Sequence, residues 1–266
     1  MKFSLDGPAW RRAAQAALLA SFAALRKTGL LQSRLGRWTF ERSYDVYKEI
    51  VEAPLIDRLR FCVPPGTTVI DVGANIGFFT GRFARWVGTE GHVIAIEPEP
   101  VNFAGLARRL KAAGLADRVD AIRAAACEKD GAVRLQLNPD HPGDHQLGEQ
   151  GIAVAGVTLD GVAAERGWPN VSLIKIDVQG AERRVLAGAR AIIARCRPAL
   201  YVEISETGLR HHGASAAGLL TELDALGYRA HRLTRSGVSP ALERDALARL
   251  GVPDGSYVDL LFLPRP

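Results

Sequence analysis

From about residue 60 onward the chain alternates short, nearly uniform apolar runs with longer stretches whose apolar positions recur three and four residues apart. The short runs predict strands covered on both faces, because a strand with one wet face would alternate apolar and polar positions. The longer stretches predict amphipathic helices. Val69, Ile70 and Val72 form the first strand, and residues 78–87 the helix after it. A second strand spans 92–97. Pro98 and Pro100 then start a helix whose Phe103, Leu106, Leu110 and Ala113 share one face and which Gly114 stops.

Residues 119–124 predict the next strand, 133–137 and 152–157 are further extended segments, and 171–177 repeats the first strand's pattern, apolar and ending in an acid. One helix follows from about Ala181, with Val185, Leu186, Ala189 and Ile192 inward, and leads to a strand over 198–204. A helix on Leu219, Leu220, Leu223 and Leu226 is closed by Gly227. Strands over 228–233 and 257–263 complete the sheet, with a part-helical connection over 234–256. This order predicts an α/β fold, a mostly parallel sheet with helices on both faces.

Ahead of this body, residues 8–31 read as a helix on Trp10, Ala14, Leu18, Phe22 and Leu25. Its apolar stretch, Ala13 to Leu25, is too short to span a bilayer, and no small-residue cleavage site precedes Arg26 and Lys27. Charge separates the two parts. The chain carries a net +5, but residues 1–48 hold nine Lys or Arg against three Asp or Glu, so the remaining residues come to −1. We therefore divide the chain into a basic N-terminal helical appendage, 1–48, and a body, 49–266. The near-neutral body argues against a nucleic-acid partner. The appendage has two readings, a helix packed on its own domain or a second subunit, and a helix lying on a membrane surface. Three widely spaced cysteines, Cys62, Cys127 and Cys196, suggest neither a zinc site nor a disulfide framework and fit a cytoplasmic location.

The chemistry starts where the first strand ends. Asp71, Gly73, Asn75 and Gly77 make a turn in which glycine permits positive φ and close approach of a ligand. A dinucleotide loop needs glycine where Asn75 stands, and a carboxylate at its mouth would repel a pyrophosphate. A cation is welcome there, and S-adenosylmethionine (SAM) carries an ammonium and a sulfonium. Twenty positions after Gly77, Glu97 ends the second strand, placed to accept both ribose hydroxyls.

Four ordered segments carry a resemblance: 70–80 (IDVGANIGFFT), 96–102 (IEPEPVN), 158–160 (TLD) and 174–182 (IKIDVQGAE). Together they resemble the FkbM family of SAM-dependent methyltransferases, from about residue 50 to 235. The resemblance implies a class I methyltransferase fold, a Rossmann-like seven-stranded sheet whose last strand is antiparallel, and O-methylation of a hydroxyl on a small molecule such as a sugar, glycolipid or polyketide product. It implies that Asp71, Gly73, Ala74, Asn75 and Gly77 hold the methionyl end of SAM, that Glu97 holds its ribose, and that Ala125 and Ala126 lie near the adenine. Gln179 departs from the family, standing where glutamate is common.

An alcohol acceptor gains from a base that takes its proton as the new bond forms. Asp177, Glu182, Glu203 and His145 are the candidates, the last in the polar loop 138–145. Position favours Asp177. The ordinary imidazole pKa of about 6.5 favours His145. We assign proton acceptance to His145 and positioning of SAM or the hydroxyl to Asp177. Glu182 sits in a first helical turn, where an acid favours the helix dipole without chemistry. His211 and His212 are adjacent and point apart, and carboxylates around Asp177 and Glu203 are few, so no metal is assigned. An NAD-dependent oxidoreductase fails on the glycine spacing, and a nucleic-acid amino-methyltransferase lacks its Pro-Pro-aromatic signature after Asp177. The competing class is a non-catalytic SAM-fold scaffold or binding protein.

Overall fold

A computed structural model of the chain describes residues 3–4, 33, 42–43, 46, 48–50, 53–138, 143–234, 236–243 and 256–266. The helix expected over 8–31 and most of the 234–256 connection lie outside the described residues. In chain order the body contains β1 (Thr68–Val72), α1 (Phe78–Trp86), β2 (His92–Ile96), α2 (Pro100–Ala112), β3 (Val119–Ile122), β4 (Gly131–Gln136), β5 (Gln146–Gly148) and β6 (Ile152–Val157). It continues with α3 (Leu159–Glu165), β7 (Val171–Ile176), α4 (Glu182–Ala187), α5 (Arg190–Cys196), β8 (Ala199–Ile204), α6 (Glu206–His211), α7 (Ala216–Ala225), β9 (Tyr228–His231) and β10 (Ser256–Pro264).

The main sheet runs β3, β2, β1, β7, β8, β10, β9, with the short strand Phe3–Ser4 parallel to the start of β10. Strands β3 to β8 are mutually parallel in that order, and β10 is antiparallel to both β8 and β9. This is the seven-stranded class I arrangement expected above. Every residue of β1 is buried, as a strand covered on both faces requires. One face packs Val69, Val93 and Leu173 against Phe78, Phe83, Leu106 and Leu110 of α1 and α2. The other packs Ile70, Ile94 and Ile174 against α3, α4, α5 and α7 through Leu159, Val185, Ile192 and Leu219.

The chain leaves β1 towards β2 and β3 and returns on its other side through β7. The ends of β1 and β7 therefore flank the topological switch point, where open α/β sheets bind ligands. Among the described residues no helix is long and apolar enough to cross a membrane.

Two features add to the expected order of elements. The segments β4 and β6 do not join the main sheet. They form a second, four-stranded sheet with β5 and Ala125–Ala126, in which β4 and β5 pair antiparallel as the arms of a hairpin. The single helix expected after Ala181 is two helices, broken at Gly188. A Cβ there would lie 2.0 Å from the Cys127 carbonyl oxygen. The second helix begins anew because the Asp160 carboxylate accepts hydrogen bonds from the Ala191 and Ile192 amides, at 2.9 and 2.8 Å. Thr158 caps its own helix by accepting from the Gly161 amide at 3.0 Å. The Thr158-Leu159-Asp160 motif is thus a pair of helix caps.

Candidate active site

The turn after β1 is held by contacts that only its residue types allow. Gly73 adopts φ 77°, and a Cβ on it would meet the Asp177 carbonyl oxygen at 1.9 Å. Gly77 adopts φ 82° at the start of α1, and a Cβ there would stand 2.5 Å from Leu106 Cδ1. Asn75 also has positive φ, 50°, a conformation asparagine tolerates better than most side chains. All five amides from 73 to 77 have acceptors within the protein. Gly73 and Ala74 donate to the Ile96 carbonyl, Gly77 to that of Ala74, Asn75 to Glu97 Oε2 at 2.8 Å and Ile76 to Asn75 Oδ1 at 2.7 Å. A phosphate-binding loop works by leaving such amides open to the anion. This one does not.

Glu97 is 5% exposed, and its other oxygen accepts from the Glu99 amide at 2.9 Å. Each carboxylate oxygen thus holds one backbone donor and keeps a second acceptor position. Burial pushes its pKa up to about 7, against the opposing amide hydrogen bonds from Glu99 and Asn75. Glu99 itself caps α2, accepting from the Asn102 amide at 2.6 Å.

Asp71 corrects the expectation of an acid at the loop's mouth. Its residue exposure is 0%, Oδ2 accepts from the Thr80 hydroxyl at 2.6 Å, and Oδ1 lies 3.6 Å from Lys175 Nζ. Burial raises its pKa, while Lys175 and Thr80 pull it down. Asp71 therefore lies beneath the turn and orders it from inside. Lys175 escaped the sequence reading. The signal was a lysine in mid-strand between Ile174 and Ile176, since lysine is almost never fully buried unless paired. The register of β1 on β7 sets it directly opposite Asp71. Burial alone would lower its pKa, but Asp177 and Asp71 hold it above the ordinary lysine value.

Asp177 is the member of this group that reaches open space, its side chain 28% exposed. Oδ2 lies 3.2 Å from Lys175 Nζ, and Oδ1 accepts from Gln179 Nε2 at 3.2 Å. Burial would raise its pKa, yet Lys175 and Lys48, with the hydrogen bonds from Lys175 and Gln179, leave it lowered. Lys48 Nζ also sits 5.2 Å from the centroid of the Phe79 ring, which Lys175 approaches at 5.5 Å. Residues 48–50 are helical and Glu49 pairs with Arg82, so a boundary at residue 48 cuts through a helical stretch that meets the site.

The remaining candidates fall into place around this centre. Glu182 is buried and spends Oε1 on the Gly180 amide at 2.8 Å, which builds the turn after β7. Glu203 Oε1 accepts from Gln179 Nε2 at 2.9 Å, while Arg210 pairs with Glu206. Ala125 is buried and ladder-paired with Gly156, the packing of a strand end. His145 is half-buried, and its Nδ1 accepts from the Asn138 amide at 3.0 Å. Burial lowers its pKa, against Glu99 and Asp144. A neutral imidazole whose Nδ1 accepts carries its proton on Nε2. His145 Nδ1, the nitrogen that would have to take a proton in this tautomer, is therefore engaged by the Asn138 amide within the hairpin. Next to it, Gln146 Oε1 and His211 Nδ1 are 3.1 Å apart, tying the β4–β5 hairpin to the end of α6.

Comparison with known proteins agrees with this geometry. A family described as the methyltransferase FkbM domain matches residues 71–230. The chain is similar to the 31-O-demethyl-FK506 methyltransferase FkbM of Streptomyces tacrolimicus, 34% identical over 177 residues that cover 54% of this chain and 67% of that one. It is also similar to the 2-O-methyltransferase NoeI of Sinorhizobium fredii (strain NBRC 101917 / NGR234), 26% identical over 167 residues covering 54% of this chain and 66% of NoeI. The AMB antimetabolite synthetase AmbE of Pseudomonas aeruginosa is 28% identical over 241 residues, which cover 76% of this chain but span only 11% of AmbE.

Proposed function

The chain belongs to the FkbM methyltransferase family, and from that premise we propose that it uses SAM to methylate a hydroxyl group of a small molecule. The observation that carries this reading is the turn between β1 and α1, whose amides are all satisfied internally while the Glu97 carboxylate stands fixed beside it. Such a site offers acceptors, not donors, and suits a ligand with ribose hydroxyls and positive charge. Oxygen methylation is supported by the names of two relatives, FkbM and NoeI.

SAM, when bound, supplies a methyl group already activated on a sulfonium. The chain's own residues then have to orient and to desolvate. Glu97 receives the ribose hydroxyls on its two remaining acceptor positions. Gly73, Ala74, Asn75 and Gly77 form the turn against which the methionyl end lies, and Asp71 with Lys175 holds that turn from beneath. Asp177 faces the reacting end. The β4–β5 hairpin, which carries His145, is tied to the end of α6 through Gln146 and His211. Three free thiols, Cys62, Cys127 and Cys196, support a reducing, cytoplasmic setting.

Titration calorimetry with S-adenosylhomocysteine tests the reading. We expect micromolar binding that Glu97→Ala weakens by at least tenfold, since a hydrogen bond to a charged group is worth about 1.5–3 kcal/mol. No binding by the folded wild-type protein would overturn it.

A further inference from the structure

Gln179 stands between two carboxylates, and the structure gives it a task. Its backbone is left-handed, φ 56°, in the turn after β7. The turn is clamped: a Cβ on Gly180 would lie 2.2 Å from the Gly208 carbonyl oxygen, and one on Gly208 would lie 2.9 Å from the Gln179 carbonyl oxygen. Thus the backbone from the Gln179 carbonyl to Gly180 is pressed against Gly208 in α6. From this position one amide nitrogen, Nε2, reaches two carboxylates, Asp177 Oδ1 at 3.2 Å and Glu203 Oε1 at 2.9 Å.

Those carboxylates sit side by side for a reason set by the sheet. Val202 pairs in register with Ile176, so the next residues, Glu203 and Asp177, are level at the ends of adjacent parallel strands. Parallel neighbours lie about 4.8 Å apart, and two anions so close repel unless something cationic or donating stands between them. An NH₂ group supplies two protons, one for each. Lys175 and Lys48 both favour the ionised form of Asp177, while Asp259 of β10, in register with Glu203, adds a further acid. A glutamate at 179 would place another acid in the same cluster.

Resting on the SAM-dependent O-methylation proposed above, we infer that Gln179 is a positioning residue that holds Asp177 and Glu203 together, facing the acceptor hydroxyl, and makes Glu203 the group that takes its proton. In the reaction the hydroxyl oxygen forms its bond to the methyl carbon and the electron pair of the carbon–sulfur bond returns to sulfur. The hydroxyl proton passes to the Glu203 carboxylate. S-adenosylhomocysteine and a methyl ether are the products. With His145 Nδ1 engaged by the Asn138 amide, this step falls to a carboxylate.

Gln179→Gly separates positioning from backbone accommodation, because glycine suits a left-handed φ better than glutamine does and removes the side chain that makes the bridge. The carboxyl ¹³C resonances of Asp177 and Glu203 are followed against pH in wild type, Gln179→Gly and Gln179→Glu, without and with S-adenosylhomocysteine. A residue needed only for its backbone predicts unchanged titrations in Gln179→Gly. The inference expects at least one of the two midpoints to rise by about one unit or more in Gln179→Gly, and a carboxyl titrating above about pH 6 in Gln179→Glu. Affinity for S-adenosylhomocysteine should stay within threefold in both. With radiolabelled SAM and a small-molecule extract as acceptor, Glu203→Gln should lower labelling by about 10²-fold or more, the scale of general base catalysis. Unmoved midpoints in Gln179→Gly would overturn the positioning role, and full labelling by Glu203→Gln would overturn proton acceptance. Failure of the wild type to bind S-adenosylhomocysteine would instead strike the cofactor reading, while the titrations without ligand still decide the bridge.

Discussion

Gly73 and Asp177 approach so closely that the space a β-carbon would need at Gly73 is filled by the Asp177 carbonyl oxygen, 1.9 Å away. This contact brings the exits of β1 and β7 together at the switch point, and it makes residue 73 intolerant of any side chain. Gly73→Ala adds a left-handed strain of about 1–2 kcal/mol to a backbone clash. We expect a loss of at least 2–3 kcal/mol in urea unfolding, roughly, together with loss of S-adenosylhomocysteine binding. A variant as stable as wild type would refute this close approach of the two strand ends.

The buried pair Asp71 and Lys175 predicts a pH-dependent mutant phenotype. Removing the ammonium in Lys175→Met leaves Asp71 sealed and without its cation, a loss of about 3–5 kcal/mol near neutrality. Asp71 already has a raised pKa, so acid lets it take up a proton and escape the penalty. The deficit relative to wild type should therefore shrink between pH 8 and pH 5. Chemical denaturation at both values measures it, and a deficit constant with pH would refute the pairing.

Glu97 should couple cofactor binding to pH. Its folded pKa of about 7 lies above the ordinary 4.5, so folding favours the neutral acid. That contribution to stability is fully present below the unfolded value and is lost as pH rises through about 7. Ribose hydroxyls donate to the ionised form, so binding should tighten over the same window. Methylthioadenosine has the ribose but no amino acid group to titrate. Its affinity should rise about tenfold from pH 6 to pH 8 and then level off, as linkage to one group requires. A flat profile would show that the ribose does not meet this carboxylate.

Asp160 predicts a stability effect remote from the chemistry. Asp160→Ala uncaps α5 and should cost about 1–2 kcal/mol, a typical N-cap loss, with S-adenosylhomocysteine affinity unchanged. Reduced affinity at full stability would point to a role at the site instead.

The order of strands and helices could be read directly, because burial on both faces and helical periodicity are properties of neighbouring residues. Val69, Ile70 and Val72 announce a central strand, and Leu106 and Leu110 a helix packed on it, whatever lies elsewhere. The turn residues Gly73, Asn75 and Gly77 were legible for the same reason, as local backbone demands. So was the position of Glu97, one strand later. The partners of the charged groups were not legible. Asp71 meets Lys175 because β1 and β7 align in a particular register, and Gln179 joins Asp177 to Glu203 because β7 and β8 do. The break at Gly188 depends on the Cys127 carbonyl and on Asp160, both distant along the chain. The protonation of His145 follows from the Asn138 amide that the hairpin folds against it. Local sequence sets what each segment prefers to be. Burial and pairing energies depend on which segments meet, and only the packed chain brings together the groups whose charges and hydrogen bonds make the site.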